Sequence, residues 1–389
     1  MSKIVFFCIP AHGHTNPTLP VVKELVDLGH EVYYYSFNEF KEKIEGAGAH
    51  FISCDGIDLG MEETENAAER VGKDIVFSTE LIVKSTLAFD EFAMEEMKQL
   101  NPDVIVGDSV AYWGKLTAMK LGIPFVSSTT TFAFNQYSSR IMKTSFGELF
   151  KMIFQMPKTK KILKPLRDKG YPAENILSIV QNDNDTNTVV YTSPEFQPCS
   201  ETFSEKYTFV GPCIRDAKEV LEKTRKQRIY ISLGTVNNAM ADFYKNCVKA
   251  FSDTDYEVIM SVGNSTEVES LGELPENIRV YNSVDQIGVL QQADVFLSHC
   301  GMNSANESLY HSVPLVMYPQ TPEQGGVAYR IAELEAGIHL EKNDSASIRS
   351  TVEAVLADDK YKKNAANIAE SFRKSGGAKV AAQAILKAI

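Results

Sequence analysis

Short apolar runs recur along the whole chain, separated by stretches with helical spacing of their hydrophobic residues. In the first half the runs are KIVFFCI (3–9), EVYYYSF (31–37), HFISC (50–54), DVIVG (103–107), PFVSS (124–128) and TVVYTS (188–193). Rich in β-branched and aromatic residues and alternating with helical patterns, they predict a parallel α/β sheet. The first helix is expected to take Asn16 as N-cap and Pro17 at its first position. Leu19, Val22, Leu25 and Val26 then share one face, and the helix stops before Gly29.

The second half repeats the scheme with RIYISLG (228–234), YEVIMSVG (256–263), IRVYNSV (278–284), ADVFLSH (293–299) and PLVMYP (314–319). A second α/β domain follows from it. The 389 residues exceed the ~100–200 of one domain, which agrees with two. VGPCIRDAKEVLEKTRKQ (210–227) shifts from Gly-Pro to a charged stretch with a helical pattern. The expected boundaries are therefore 1–213, a linker at 214–227, and 228–389. Residues 129–187 break the alternation with an aromatic and Met-rich stretch, suited either to a core or to a pocket for apolar molecules.

Composition narrows the class of partner. With 44% hydrophobic and 23% charged residues the chain is an ordinary globular one. A net charge of −12 argues against nucleic acid and against an anionic membrane surface. Six cysteines without a CxxC pair read as free thiols of a reducing compartment, and IVFFCIP is too short for a signal-peptide core or a membrane span. A cytoplasmic location is expected.

Two places concentrate polar chemistry. PAHGH (10–14) ends the first strand and VGDS (106–109) the fourth, strands that lie side by side in a doubly wound sheet with the ligand crevice at their carboxyl ends. His14 and Asp108 are thus expected to meet, with the aspartate orienting the imidazole as a base. His12 lies nearer the strand. The competing reading has both histidines capping the turn. In the second half, SHCGMNSANESLYHSVPLVMYPQTPEQ (298–324) runs from a strand end through a loop into a helix, the arrangement of an anion site for a diphosphate. His299 is placed to donate to a phosphate oxygen, Gly301 to permit close backbone approach, and Glu307 to accept from ribose hydroxyls. Glu323 and Gln324 suit sugar hydroxyls or, alternatively, an ordinary helix start.

The spacing H-x-G-x-N-S-x-x-x-E in HCGMNSANE, followed by VP at 313–314 and P-x-x-x-E-Q at 319–324, resembles the donor signature of UDP-dependent glycosyltransferases. PAHGHTNP resembles the same family's N-terminal stretch, and the likeness extends over essentially the whole chain. It is greatest to bacterial macrolide and flavonoid glycosyltransferases, relatives of the plant and animal enzymes. The resemblance implies a GT-B fold, two Rossmann-like domains facing each other across a cleft. It further implies inversion at the anomeric carbon without a metal or other cofactor, the UDP-sugar being a co-substrate. By motif position, the base falls on His14 and its partner on Asp108. Phosphate contacts fall on His299, Asn303 and Ser304, the ribose acid on Glu307, and the sugar-binding pair on Glu323 and Gln324. SLGT implicates Ser232, Gly234 and Thr235, and VDQIGVL places Val284 and Gln286 at the donor. Three positions depart from the family pattern. Ser283 stands where plant members carry a nucleobase-stacking Trp, Glu323 where Asp is commoner, and Ser312 where Gly usually precedes VP.

The function expected is hexose transfer from a UDP-sugar, UDP-glucose foremost, to a hydroxyl of a small apolar acceptor of phenolic, flavonoid or macrolide type. The acceptor pocket is assigned to His12, Tyr112, Trp113, Phe132, Phe134, Tyr137, Met142, Phe146 and Phe150. A sugar-nucleotide epimerase of similar fold and a non-catalytic nucleotide-sugar-binding module are the alternatives. A dehydrogenase is weaker, since no G-x-G-x-x-G follows the first strand. The Asp-x-Asp pairs at 183–185 and 253–255 lie in turn-rich segments and read as loop chemistry. The last helix, roughly 364–388, is expected to return to the N-terminal domain.

Overall fold

Strand β1 (Lys3–Phe7) explains why the apolar runs are continuous. Ile4 and Phe6 enter one core and Val5 and Phe7 another, so both faces of the strand are covered and no polar alternation is needed. The computed structural model describes residues 1–58, 70, 74–138, 155–182, 184–234 and 240–389. β1 joins β2 (Glu31–Ser36), β3 (His50–Ser53), β4 (Val104–Asp108), β5 (Phe125–Thr129), β6 (Asn187–Val190) and β7 (Tyr207–Phe209). The seven strands form a parallel sheet in the order β3-β2-β1-β4-β5-β6-β7.

A second parallel sheet holds β8 (Arg228–Ser232), β9 (Glu257–Ser261), β10 (Ile278–Tyr281), β11 (Val295–Ser298), β12 (Leu315–Met317) and β13 (Gly337–His339). Its order is β10-β9-β8-β11-β12-β13. Each order reverses once, at β1/β4 and at β8/β11, and the carboxyl end of that pair is where such sheets bind ligands. The edge strands β7 and β13 are not among the apolar runs: each has only three residues, YTF and GIH, and neither is fully buried as β12 is.

The N-terminal helix differs from expectation. A helical turn already begins at His12, after an extended Ala11, and passes through a tight 3-10 turn at Asn16–Thr18 into helix α1 (Leu19–Asp27). Asn16 is therefore not a cap and Pro17 sits inside the tight turn, whose missing N–H bond there Pro tolerates. Val22 and Leu25 do enter the core, and Gly29 ends the segment with φ of 85°. Helices α2 (Ile75–Leu100) and α3 (Tyr112–Leu121) flank the other face. Part of the irregular segment after β5 packs on them through Leu163, Leu166, Tyr171 and Ile176.

The chain divides into two units. One comprises Met1–Tyr191, Cys199–Cys213 and Gly376–Ile389, the other Thr192–Pro198 and Ile214–Ser375. Residues 214–227 belong to the second unit and form no helix. Their backbone is bound elsewhere: Asp285 accepts from the Lys218 and Glu219 amides, and the fully buried Arg228 donates to the Leu221 and Glu222 carbonyls at 2.7 and 2.6 Å. The C-terminal segment expected as a single helix is two, Asp359–Lys374 in the second unit and Gly377–Leu386 in the first, broken at Gly376 and Gly377, both with positive φ.

Helix α4 (Met302–Tyr310) ends in a Schellman motif: Ser312 N–H donates to the Leu309 carbonyl and Val313 N–H to that of Ser308, both at 2.9 Å. The motif puts Ser312 at φ of 60°, a conformation that costs a Cβ-bearing residue ~1–2 kcal/mol. Part of that is offset by the greater unfolded-state freedom of glycine, ~0.5–1 kcal/mol. Ser312→Gly is thus expected to stabilise the second unit by about 0.5–1 kcal/mol without changing turnover, read as a higher denaturation midpoint.

Candidate active site

At the β1/β4 switch point the first helical turn brings His14 over the end of β4. His14 Nδ1 lies 2.7 Å from Asp108 Oδ2, across 94 positions of sequence. Asp108 is buried, and its other oxygen accepts from the Val110 amide at 3.0 Å, which fixes the carboxylate plane. A carboxylate only accepts, so this contact places the ring proton on Nδ1 and the basic lone pair on Nε2. Thr130 Oγ1, buried just past β5, lies 3.1 Å from the same Nδ1. Sequence reasoning missed Thr130 because it considered only the first and fourth strands. The signal lay in the next neighbour, β5, which pairs with β4 through Ser128 opposite Asp108.

His12, two residues earlier, turns to other partners. Its Nε2 faces Glu39 at 3.1 Å, its Nδ1 faces Lys43 at 3.3 Å, and its ring meets Phe40 edge-on. Partial burial and Lys43 hold its pKa below the ordinary value despite Glu39. Among the residues assigned to an acceptor pocket, Trp113 is only 5% exposed and packs with Phe89 in the core, and Phe132 is buried as well. The first turn of α3 points the Trp113 ring at the sheet. Tyr112 is half-buried, and burial, helped by the charge of Asp108, pushes its phenol up to about 12. Phe134 and Tyr137 are 40% and 46% exposed on the segment that follows Thr130. Met142, Phe146 and Phe150 lie outside the described residues.

The second unit repeats the placement. Ser232 ends β8 opposite Ser298 of β11, and His299 follows at once. The His299 ring is held between two glycines. A Cβ at Gly301 would stand 2.5 Å from its Nε2, and a Cβ at Gly234 2.6 Å from its Cε1. These glycines make room for the imidazole, a role different from the approach to phosphate expected of Gly301. Burial pushes His299 down to about 4, against a raising backbone contact from Ser232, so above that pH it offers a neutral N–H. Its Nδ1 is buried and has no hydrogen-bond partner among the described residues. Thr235 lies outside them.

Gly301 then caps α4 without a side-chain hydrogen bond, and Asn303 and Ser304 occupy the first turn. An N-terminus in this condition attracts anions. One turn on, Glu307 Oε2 accepts from Gln286 Nε2 at 2.6 Å, while Gln286 Oε1 accepts from Tyr230 OH at 3.1 Å. Burial raises the Glu307 carboxyl pKa although Gln286 works against it. Tyr230 is a second residue that sequence reasoning missed, hidden in a strand that reads as pure core. Val284 is half-buried two residues before Gln286.

Gln324 sits in the first turn of α5 (Pro322–Glu333), where its N–H is capped by Thr321 and its Oε1 accepts from the Gln320 amide at 2.7 Å. The pair Glu323-Gln324 therefore builds a helix start, with Glu323 exposed. The Asp-x-Asp candidate at 253–255 is engaged by Arg349 through Asp253 and by Arg225 through Asp255, and residue 183 of the other lies outside the described residues. Among the described residues no three His, Cys, Asp or Glu side chains are grouped to hold a metal. No helix among them is long and apolar enough to cross a membrane.

Two parallel sheets in one chain, each with polar residues gathered at its switch point, define the class as GT-B. Solved glycosyltransferases share this architecture over the whole chain. That of kitacinnamycin matches with a TM-score of 0.86 at 24% identity, covering 100% of this chain and 99% of its own. CalG4, the calicheamicin glycosyltransferase, matches with a TM-score of 0.83 at 26% identity, covering 100% and 98%. Residues 245–384 match the family described as erythromycin biosynthesis protein CIII-like, C-terminal domain. The NDP-glycosyltransferase YjiC of Bacillus subtilis is 34% identical over 97% of this chain and 95% of its own length. The chain belongs to the bacterial family 1 glycosyltransferases, and it is a glycosyltransferase enzyme.

Proposed function

We propose that this enzyme transfers a hexose, with inversion, from a UDP-sugar to a hydroxyl of a small apolar acceptor. The single observation that carries the reading is the 2.7 Å contact of His14 with the buried Asp108. With Nδ1–H held by the carboxylate, Nε2 takes the proton of the acceptor hydroxyl as its oxygen attacks the anomeric carbon. The bond to the diphosphate breaks on the opposite face of that carbon, which inverts its configuration. Asp108 stabilises the imidazolium that forms.

The leaving diphosphate gathers negative charge as the bond breaks. The N-terminus of α4, capped by Gly301 without a side-chain hydrogen bond, and the neutral N–H of His299 meet that charge from fixed positions, work done elsewhere by a divalent ion, so no metal is assigned. Glu307 takes ribose hydroxyls. Gln324, its carbonyl committed to Gln320, meets a sugar hydroxyl through its amide NH2. UDP is assigned from the resemblance of HCGMNSANE to the donor signature, and the relative's name, NDP-glycosyltransferase, agrees with a nucleoside diphosphate. The exposed Phe134 and Tyr137 support an apolar acceptor, as do the calicheamicin and erythromycin connections of the relatives.

Mass spectrometry of mixtures of the protein with a panel of UDP-sugars and phenolic or macrolide acceptors tests the reading. One added hexose, β-linked by proton NMR coupling when UDP-glucose is the donor, is expected. Retained α-configuration, or UDP release that ignores the acceptor, overturns it.

A further inference from the structure

We propose that Thr130 is a positioning residue for His14, one whose hydroxyl competes with Asp108 for the same ring nitrogen. The proposal rests on His14 acting as the base. Nδ1 has one in-plane site: protonated it donates, unprotonated it accepts. Among the described residues two oxygens reach it, Asp108 Oδ2 at 2.7 Å and Thr130 Oγ1 at 3.1 Å. The carboxylate can only accept, whereas the hydroxyl can accept or donate. The shorter, charge-assisted bond wins the proton, and Thr130 becomes its second acceptor. Two acceptors, one at the end of β4 and one just past β5, then bracket Nδ1 and restrict rotation of the ring.

The same hydroxyl turns harmful once the carboxylate is gone. Thr130 is buried, 3% exposed, so its hydroxyl group needs a partner inside the protein. Without Asp108 it donates to the Nδ1 lone pair, which fixes the ring proton on Nε2, where a base must have its lone pair. Thr130 therefore supports the productive tautomer in the native protein and holds the unproductive one when Asp108 is missing. A purely structural threonine would do neither.

Thr130→Val keeps the shape and removes the hydroxyl. It is expected to lower kcat roughly three- to tenfold, a fraction of the ~10²–10⁴ that a positioned base supplies, with both KM values within about twofold. Thr130→Ser should restore kcat. Asp108→Ala/Thr130→Val should turn over faster than Asp108→Ala. Long-range ¹⁵N–¹H spectra of His14 give a readout independent of turnover. Nδ1–H is expected in the native protein, Nε2–H in Asp108→Ala, and a mixture in the double variant. The spectra of Asp108→Ala alone decide the tautomer question if Thr130→Val folds poorly. An unchanged kcat in Thr130→Val together with a double variant no faster than Asp108→Ala overturns the proposal. So does a raised acceptor KM at constant kcat, which makes Thr130 an acceptor contact. If His14→Ala turns over normally, it is the base reading that fails. If His14→Ala is inactive and the Thr130 variants behave additively, only the role of Thr130 fails.

Discussion

His14→Ala is expected to lower kcat by about 10²–10⁴-fold while leaving the affinity for UDP within about twofold. The split follows from where the residues stand. His14 and Asp108 belong to the first unit, and His299, Ser304 and Glu307 to the second, so removing the imidazole leaves every nucleotide contact assigned here in place. A base that acts only as the acceptor oxygen attacks contributes to the transition state and little to substrate binding, which shows as lost kcat. Steady-state kinetics with a phenolic acceptor, beside calorimetric titration of UDP, separates the two quantities. Equal turnover in the variant would remove His14 from the chemistry.

Gly301→Ala should cost about 1–3 kcal/mol of stability and weaken UDP binding on the order of tenfold or more. Its φ of −57° suits alanine, so the obstacle is not the backbone. It is the His299 ring, whose Nε2 would lie 2.5 Å from the new Cβ. The ring must swing away or the loop must shift, and either loses its alignment with the helix N-terminus. Removing the ring tests this cause directly. His299→Ala/Gly301→Ala should be more stable than Gly301→Ala alone, a non-additivity that two independent sites would not show, yet it should still bind UDP weakly. Denaturation midpoints and UDP titrations of the three variants give the answer. If the double variant is no more stable than Gly301→Ala, the steric account is wrong. Gly234→Ala adds backbone strain at φ of 83°, so His299→Ala should rescue it less fully.

What could be read from the sequence was set by period and order. Runs such as IVFF (4–7) and VIV (104–106) are apolar throughout because helices cover both faces of the strands, and their alternation with helices gives parallel pairing. From the strand order follows the meeting of His14 and Asp108, since β1 and β4 are neighbours at the reversal. Contacts that depend on side-chain volume or on a third strand stayed hidden. The glycines beside His299 look like loop glycines until the ring is seen between them. Thr130 looks like one more threonine in SSTTT, and sequence adjacency of Trp113 to Asp108 does not say which way its helix turn faces. The charged stretch at 214–227 mimics a helix, but Arg228 and Asp285 take the backbone groups a helix would need.

The helix α6 (Gly377–Leu386) lies on α1, and its Ala381, Ala382 and Ile385 complete the core under β1 and β4. These side chains leave the ribosome only after all of the second unit has been made. The first unit thus cannot be sealed in the order in which it is synthesised, and until Ile385 emerges, Val21, Val22 and Leu25 lack part of their cover. The unit that carries His14 and Asp108 is the last to be finished, and the unit that carries His299 and Glu307 can fold ahead of it.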